Sequence, residues 1–359
     1  MTEVHSEARR RALRNGQALA ESGLIRDDEI GDAERAGEMM SIAISPEMVD
    51  RIDRADADDP VARQFVPSTR ELTILPEERS DPIGDVPYMP VKGITHRYPD
   101  RLLLIANHHC AVYCRFCFRK EKVGPGQEFL KPDEIEAALD YIRAQPELRE
   151  VILTGGDPLM LTPHRIRYLV EQLTELPNLD VIRIHTRIPV VAPERVTPEL
   201  LDALETDKII CVVVHANHAN EFGDAAKAAL KTLRKRGIMM VSHSVLLKGV
   251  NNTPQALMDL FREFIRNGVK VYYLHHCDLA EGVSHFRTTF EEGQELMRAI
   301  RGQLSGLAQP TYALHIPDGH GKVPIGPSYI EREGSSWIVE DYLGGRHRYP
   351  IDADGGAAM

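Results

Sequence analysis

The chain lacks any excess of positive charge. Lys and Arg number 43 against 54 Asp and Glu, a formal net charge of −11. That balance argues against a nucleic-acid partner, because nucleic-acid-binding surfaces are basic overall. It leaves room for a local basic pocket that holds an anion. No run of 18 apolar residues occurs, so no membrane span is expected. The opening MTEVHSEARRRALRNGQALAESG has no apolar segment, and its Glu3 and Glu7 fit a transit peptide poorly. Neither a secretory nor an organellar signal is therefore expected. Cysteine is scarce: five residues, an odd number, with three crowded together. This is no disulfide framework, and metal-bound thiolates in a reducing cytoplasm suit it better. What remains is ordinary for a globular protein, with 43% hydrophobic and 27% charged residues. A chain of 359 residues can bury a substantial core as one large domain or two.

Residues 1–60 are polar, charged and rich in alanine, and SEARRRALRNGQALAES and SPEMVDRIDRA read as short helices. PSTRELTILPEERSDPIGDVPYMP reads as an extended connection. Six apolar, β-rich runs follow: RLLLIAN (101–107), EVILTGG (150–156), DVIRIHT (180–186), IICVVVHA (209–216), IMMVSHSVLL (238–247) and VKVYYLHHC (269–277). Most are near-continuous hydrophobic strings, as expected of parallel strands covered on both faces. Helical patterns such as PDEIEAALDYIRAQ, PHRIRYLVEQLTE and ANEFGDAAKAALKTLRKRG lie between them. Repeated βα units predict an incomplete (β/α)6 barrel, with a full eight-unit barrel as the alternative. Expected boundaries are an N-terminal helical extension and linker (1–85), the barrel (86–300) and a C-terminal segment (301–359).

In parallel barrels, function gathers at the C-terminal ends of the strands. Polar residues fall there repeatedly: the cysteine loop, then Gly155-Gly156-Asp157, His185 and Arg187, His215 and Asn217, Ser242 and His243, and Asp278. Cys110, Cys114 and Cys117 are spaced C-x3-C-x2-C in HHCAVYCRFCFRKEK. A structural zinc would need a fourth ligand, such as His108 or His109. A cubane iron–sulfur cluster would have three protein ligands and one open iron. Cys211 and Cys277 read as buried strand cysteines.

The spacing, with Phe116 before the last cysteine, resembles the signature of the radical S-adenosylmethionine (SAM) enzymes. The wider sequence is similar to the lysine 2,3-aminomutase family. THRYPDRLLLIANHHCAVYCRFCFRK, ILTGGDPLML, IRIHTRIPVVAPERVT, HANHANE, SVLLKGVNN, YYLHHCDLAEGVSHFRT and IPDGHGKVPIGP carry that similarity, in order, over about residues 60–330. The resemblance implies an isomerase that moves an α-amino group to the β-carbon. It implies a [4Fe-4S] cluster, SAM and pyridoxal 5′-phosphate (PLP), a small amino-acid substrate, and a one-electron donor such as flavodoxin or ferredoxin. A cytoplasmic homo-oligomer is expected. Some relatives carry a C-terminal cysteine cluster for zinc; the tail EDYLGGRHRYPIDADGGAAM has none, so no zinc site is expected.

Individual positions inherit roles from the same resemblance. Cys110, Cys114 and Cys117 would hold the cluster. Gly155, Gly156 and Asp157 would face the amino group of SAM, with further SAM contacts from His215 and from His243, where relatives carry glutamine. Lys322 would bind PLP covalently, and Arg97, Tyr98 and Arg101 would hold its phosphate, a task suited to charge-assisted hydrogen bonds. Arg119 would bind the substrate carboxylate. Asp278 and the position of His315 would hold the distal ammonium of lysine; relatives carry aspartate where this chain has His315. Lysine is the expected substrate, with arginine or glutamate as alternatives, or a role in making β-lysine for elongation factor P. A structural iron–sulfur or zinc protein is the non-enzymatic alternative.

Overall fold

A nine-stranded sheet occupies the centre of the computed structural model, which describes residues 11–124, 129–334 and 336–350. Its strands are β1 (Ile94–Tyr98), β2 (Arg101–Asn107), β3 (Glu150–Gly155), β4 (Val181–Thr186), β5 (Ile209–His215), β6 (Met239–Leu246), β7 (Lys270–His276), β8 (Thr311–His315) and β9 (Lys322–Pro324). They lie side by side in sequence order. Strands β2 to β8 are parallel, and β1 and β9 run antiparallel along the two edges. The sheet is therefore an open half-barrel, and the eight-unit barrel does not form.

The structure adds one parallel strand, β8, and both edge strands to the six read from the sequence. TYALH is five residues long, bounded by Pro310 and followed by IPDG, so it offers no continuous apolar run. The crossover helices follow from local chemistry. Those at Pro163–Thr174, Pro198–Ala203 and Pro254–Arg266 each begin with Thr-Pro, and each threonine hydroxyl accepts from a backbone N–H of the first turn. Proline at the first helical position loses no hydrogen bond there. The helices cover the outside of the sheet, and strand residues such as Ile182, Val212 and Leu274 are fully buried against them.

Two irregularities shape the inner face. β2 carries one extra residue opposite Thr154–Gly155, and such a bulge re-aims the chain as it leaves for the cysteine loop. β7 carries another opposite Val241–His243, and Ser242 Oγ accepts the Tyr272 N–H at 3.1 Å. Ser242 is fully buried in the sheet and serves that join. A second, three-stranded antiparallel sheet follows: β10 (Ile330–Glu333), β11 (Ser336–Glu340) and β12 (Arg346–Pro350). Cys211 lies in β5 and Cys277 just beyond β7, both buried. No helix among the described residues is long and apolar enough to cross a membrane.

The first expected helix is shorter than its pattern. Residues 6–10 lie outside the described residues, and so does the end of the tail from 351. Helix Gly16–Glu21 starts only after Leu13 pairs with Ile44. The N-terminal segments pack on the cysteine loop through one side chain. Arg115 has no exposed surface. Its Nε donates to both oxygens of Glu71 at 2.9 Å, its Nη1 to the Met40 and Ser41 carbonyls, and its Nη2 to the Ala36 carbonyl. Arg115→Ala leaves Glu71 buried without its counter-ion. The expected loss is about 3–5 kcal/mol of stability, measured by guanidinium unfolding of the metal-free protein.

Candidate active site

The C-terminal ends of the parallel strands surround a cavity of about 620 Å³. Its wall includes Cys110, Cys114, Cys117, Arg119, Gly155, Gly156, Asp157, His215 and His243. It also includes Arg97, Tyr98, Arg101, Asp278, His315 and Lys322. The structure thus brings together every site residue expected from the sequence. Asn217 is buried outside the wall, where its Oδ1 accepts the Val245 N–H at 2.8 Å.

The cysteine loop is fixed by backbone hydrogen bonds. Asn107 Oδ1 accepts the His109 N–H at 2.8 Å, and Gly156 and Asp157 N–H donate to the Asn107 and His109 carbonyls at 2.8 Å. A Cβ on Gly156 would stand 2.5 Å from His109 backbone atoms, and Gly155 has φ +109°. The glycine pair therefore lets the loop after β3 touch the cysteine loop. Burial pushes the three thiols up, Cys117 to about 12. Thiolates at such a site need a positive partner, and metal coordination deprotonates a thiol outright. Among the described residues, no three Cys, His, Asp or Glu converge closely enough for a single ion. Three cysteines spread along one cavity wall suit a multi-iron cluster better than one tetrahedral zinc.

Asp157 is expected to meet the ammonium of SAM. Its carboxylate already accepts from Thr186 Oγ1 at 2.7 and 2.9 Å, and from the N–H groups of Leu159, Arg187 and Ile188 at 3.0, 2.7 and 3.3 Å. These bonds tie the loop after β3 to the end of β4, so an ammonium would have to share the group. Next to it, Arg187 donates to Cys114 Sγ at 2.8 Å and to Glu221 and Gln64. Sequence reading places Arg187 at a strand end without giving it a role. Its contact with a cysteine sulfur arises across 73 residues, which no local pattern announces.

The opposite wall is built by the edge strands. Lys322 N–H donates to Tyr98 Oη at 2.9 Å, joining β9 to β1. Lys322 Nζ stands 4.3 Å from the Tyr273 ring centroid, and burial lowers its amine to about 8. A larger share of it is thus the neutral nucleophile near physiological pH than for an ordinary lysine. Arg101 lies 3.8 Å over the Tyr98 ring. Arg97 Nη2 donates to the Ile83 and Gly84 carbonyls at 2.9 Å, while its buried Nε has no partner. A buried, unsatisfied guanidinium N–H is costly unless an acceptor meets it. The neutral lysine and orphan donor fit PLP and its phosphate.

Histidines on five consecutive strands line the space between these walls: His185, His215, His243, His275 and His315. The ring of His243 lies 5.7 Å from His185, 5.0 Å from His215 and 4.4 Å from His275, which stacks 4.8 Å from His315. Burial keeps the first four neutral, with His243 lowered to about 3. His185 Nε2 and both ring nitrogens of His275 are buried without a partner, which suits polar ligands. His315 Nδ1 lies 3.0 Å from Asp278 Oδ1. Sequence reading missed His275 and Tyr273 in the wall, and Asp85 beside Arg97 and Arg119.

The radical SAM superfamily profile matches residues 104–261. The chain is 39% identical to the putative L-lysine 2,3-aminomutase of Aquifex aeolicus, over 91% of this chain and 89% of that one. It is 36% identical to the L-lysine 2,3-aminomutase of Clostridium subterminale, over 88% and 76%. Glutamate 2,3-aminomutase of Clostridioides difficile is 35% identical, over 83% and 70%. A cysteine loop and an amine-bearing edge strand around one cavity are what a [4Fe-4S] cluster, SAM and PLP require together, and the chain belongs to the lysine 2,3-aminomutase family of radical SAM, PLP-dependent isomerases.

Proposed function

We propose that this chain moves the α-amino group of L-lysine to the β-carbon, giving β-lysine. One observation carries the choice of lysine: Asp278 is the cavity carboxylate that no arginine and no backbone donor neutralises. Asp85 is paired with Arg97 and Arg119, Asp100 with Arg101, and Glu150 with Arg183. Asp157 is held by Thr186 and backbone N–H groups. Among the described residues, the Asp278 carboxylate is hydrogen-bonded to His315, with Lys322 near enough to feel its charge. A carboxylate can only accept, so His315 donates through Nδ1, and in the neutral ring Nε2 remains an acceptor. With the ring in that form, Asp278 and His315 together present acceptors with one negative charge, matched to a distal ammonium. The same charge opposes a glutamate side chain.

When bound, SAM and the cluster supply a carbon-centred radical that removes a hydrogen atom, and PLP supplies the π system that carries the migrating nitrogen. The chain supplies position and shielding. Cys110, Cys114 and Cys117 would hold the cluster as its three protein ligands. His215 and His243 offer neutral imidazoles beside it. Lys322 would hold PLP through its amine, and Arg97, Tyr98 and Arg101 would hold the phosphate. Arg119 binds the substrate carboxylate. The reading includes a flavodoxin- or ferredoxin-type electron donor and a cytoplasmic homo-oligomer, which the family resemblance supports.

Anaerobic assay of L-lysine, L-arginine and L-glutamate with SAM, PLP and dithionite is expected to yield β-lysine. Formation of β-glutamate or β-arginine alone would overturn the choice. Arg119→Ala should keep the cluster's iron and sulfide content yet lose productive lysine binding, raising KM at least tenfold through a lost charge-assisted pair, worth about 1.5–3 kcal/mol. The depressed Lys322 amine gives a pH dependence with a definite sign. Covalent attachment of PLP to the apoprotein should accelerate as pH rises and level off above about 8, followed by absorbance. Lys322→Ala should lose that signal at every pH.

A further inference from the structure

Arg97 and Arg119 stand on different elements, 22 positions apart, yet one carboxylate holds both. Asp85 Oδ1 accepts from Arg97 Nη2 at 3.1 Å, and Asp85 Oδ2 lies 2.9 Å from Arg119 Nη2. The Asp85 side chain is only 5% exposed, and the two arginines 13% and 10%. Two buried guanidiniums that share a neighbourhood repel each other unless a charge lies between them. Asp85 provides it. Each oxygen takes one arginine, so the carboxylate has no freedom to turn. Among the described residues, Arg119 otherwise rests against the Phe118 ring, 4.9 Å from its centroid, which leaves N–H groups for a second anion.

The segment that delivers Asp85 is built to stay in place. Asp81 accepts the Asp85 and Val86 N–H groups at 3.0 and 2.9 Å. Gly84 has φ +63°, and a Cβ there would stand 2.3 Å from Gly319 N. The turn therefore lies directly on the loop that leads into Lys322. Arg79, just before it, pairs with Asp318 on that same loop. The turn thus touches the Lys322 loop, Arg97 and Arg119 at once.

We propose that Asp85 is a positioning residue for amino-acid binding. Its carboxylate aims Arg119 at the substrate carboxylate and Arg97 at the cofactor phosphate, so that PLP retention and amino-acid affinity depend on the same group. This rests on the roles of Arg97 and Arg119 given above. Asp85 itself touches neither the reacting atoms nor the migrating nitrogen, so at saturating PLP its loss acts on KM and leaves kcat near the wild-type value.

The test uses the full chain, anaerobically reconstituted, as wild type, Asp85→Asn and Asp85→Glu. Three quantities are measured: PLP retained after gel filtration, KM and kcat for L-lysine, and the melting temperature. In Asp85→Asn, KM should rise about tenfold, the scale of one charge-assisted hydrogen bond. PLP retention should fall with it, at wild-type melting temperature and iron content. Asp85→Glu keeps the charge and should return both values close to wild type. A lower KM in Asp85→Asn would show a carboxylate that competes with substrate and would overturn the proposal. Unchanged KM and PLP retention would do the same. Should Asp85→Asn melt early, Asp85→Glu decides alone, and a KM raised as far as in Arg119→Ala would overturn it. Failure of the underlying roles shows separately, as normal lysine turnover by Arg119→Ala whatever Asp85 does.

Discussion

The site depends on how Arg115 is held. The cysteine loop has almost no regular secondary structure, and such a loop is positioned by what its side chains reach. Arg115 sits between the second and third cysteines and points away from the cavity, into Glu71 and three carbonyls of the N-terminal helical region. A guanidinium offers five donors in a rigid plane, enough to fix the loop in translation and rotation together. The N-terminal segments are thus the mount of the metal-binding loop. Tyr113 N–H to the Ala43 carbonyl and Arg115 N–H to the Gln64 carbonyl extend the same mount along the backbone.

The cavity sorts charge by position. Arg97, Arg101 and Arg119 stand on β1, on β2 and beyond the cysteines, where the proposed phosphate and carboxylate sites lie, while Arg183, Arg187 and Lys322 complete the cationic lining. The single carboxylate left for a cationic ligand, Asp278, lies beyond β7. Between them stand imidazoles that burial holds neutral. Neutral groups that can donate or accept let polar ligands enter without pulling a charge into the centre of a low-dielectric space.

Much of this was legible in the sequence, and the limits have physical causes. The six long parallel strands announce themselves because both faces are buried, which makes their residues apolar without alternation. β1, β8 and β9 did not, because short edge or near-edge strands carry the polar residues of the site. Asn107 and the glycine pair mark a close approach, but only the fold shows that the glycines meet the cysteine loop. Nothing in the sequence singles out Arg115, since its partner is 44 positions away. Asp85 lay in a stretch of proline and acids that reads as a connection. His315 raised the question of a changed anchor, and the fold places its Nδ1 3.0 Å from Asp278 Oδ1, a contact across 37 positions that no local pattern announces.

An open half-barrel has two free margins, and here they meet at the Lys322 N–H to Tyr98 Oη hydrogen bond and the Arg79–Asp318 pair. That line is a seam. It carries no continuous strand ladder between β1 and β9. The two margins are held instead by side chains, and the turn at Gly84 lies directly on the loop that leads into Lys322. A change in either edge strand is therefore felt first at Lys322 and its neighbours, while the cysteine loop is braced separately against the N-terminal segments.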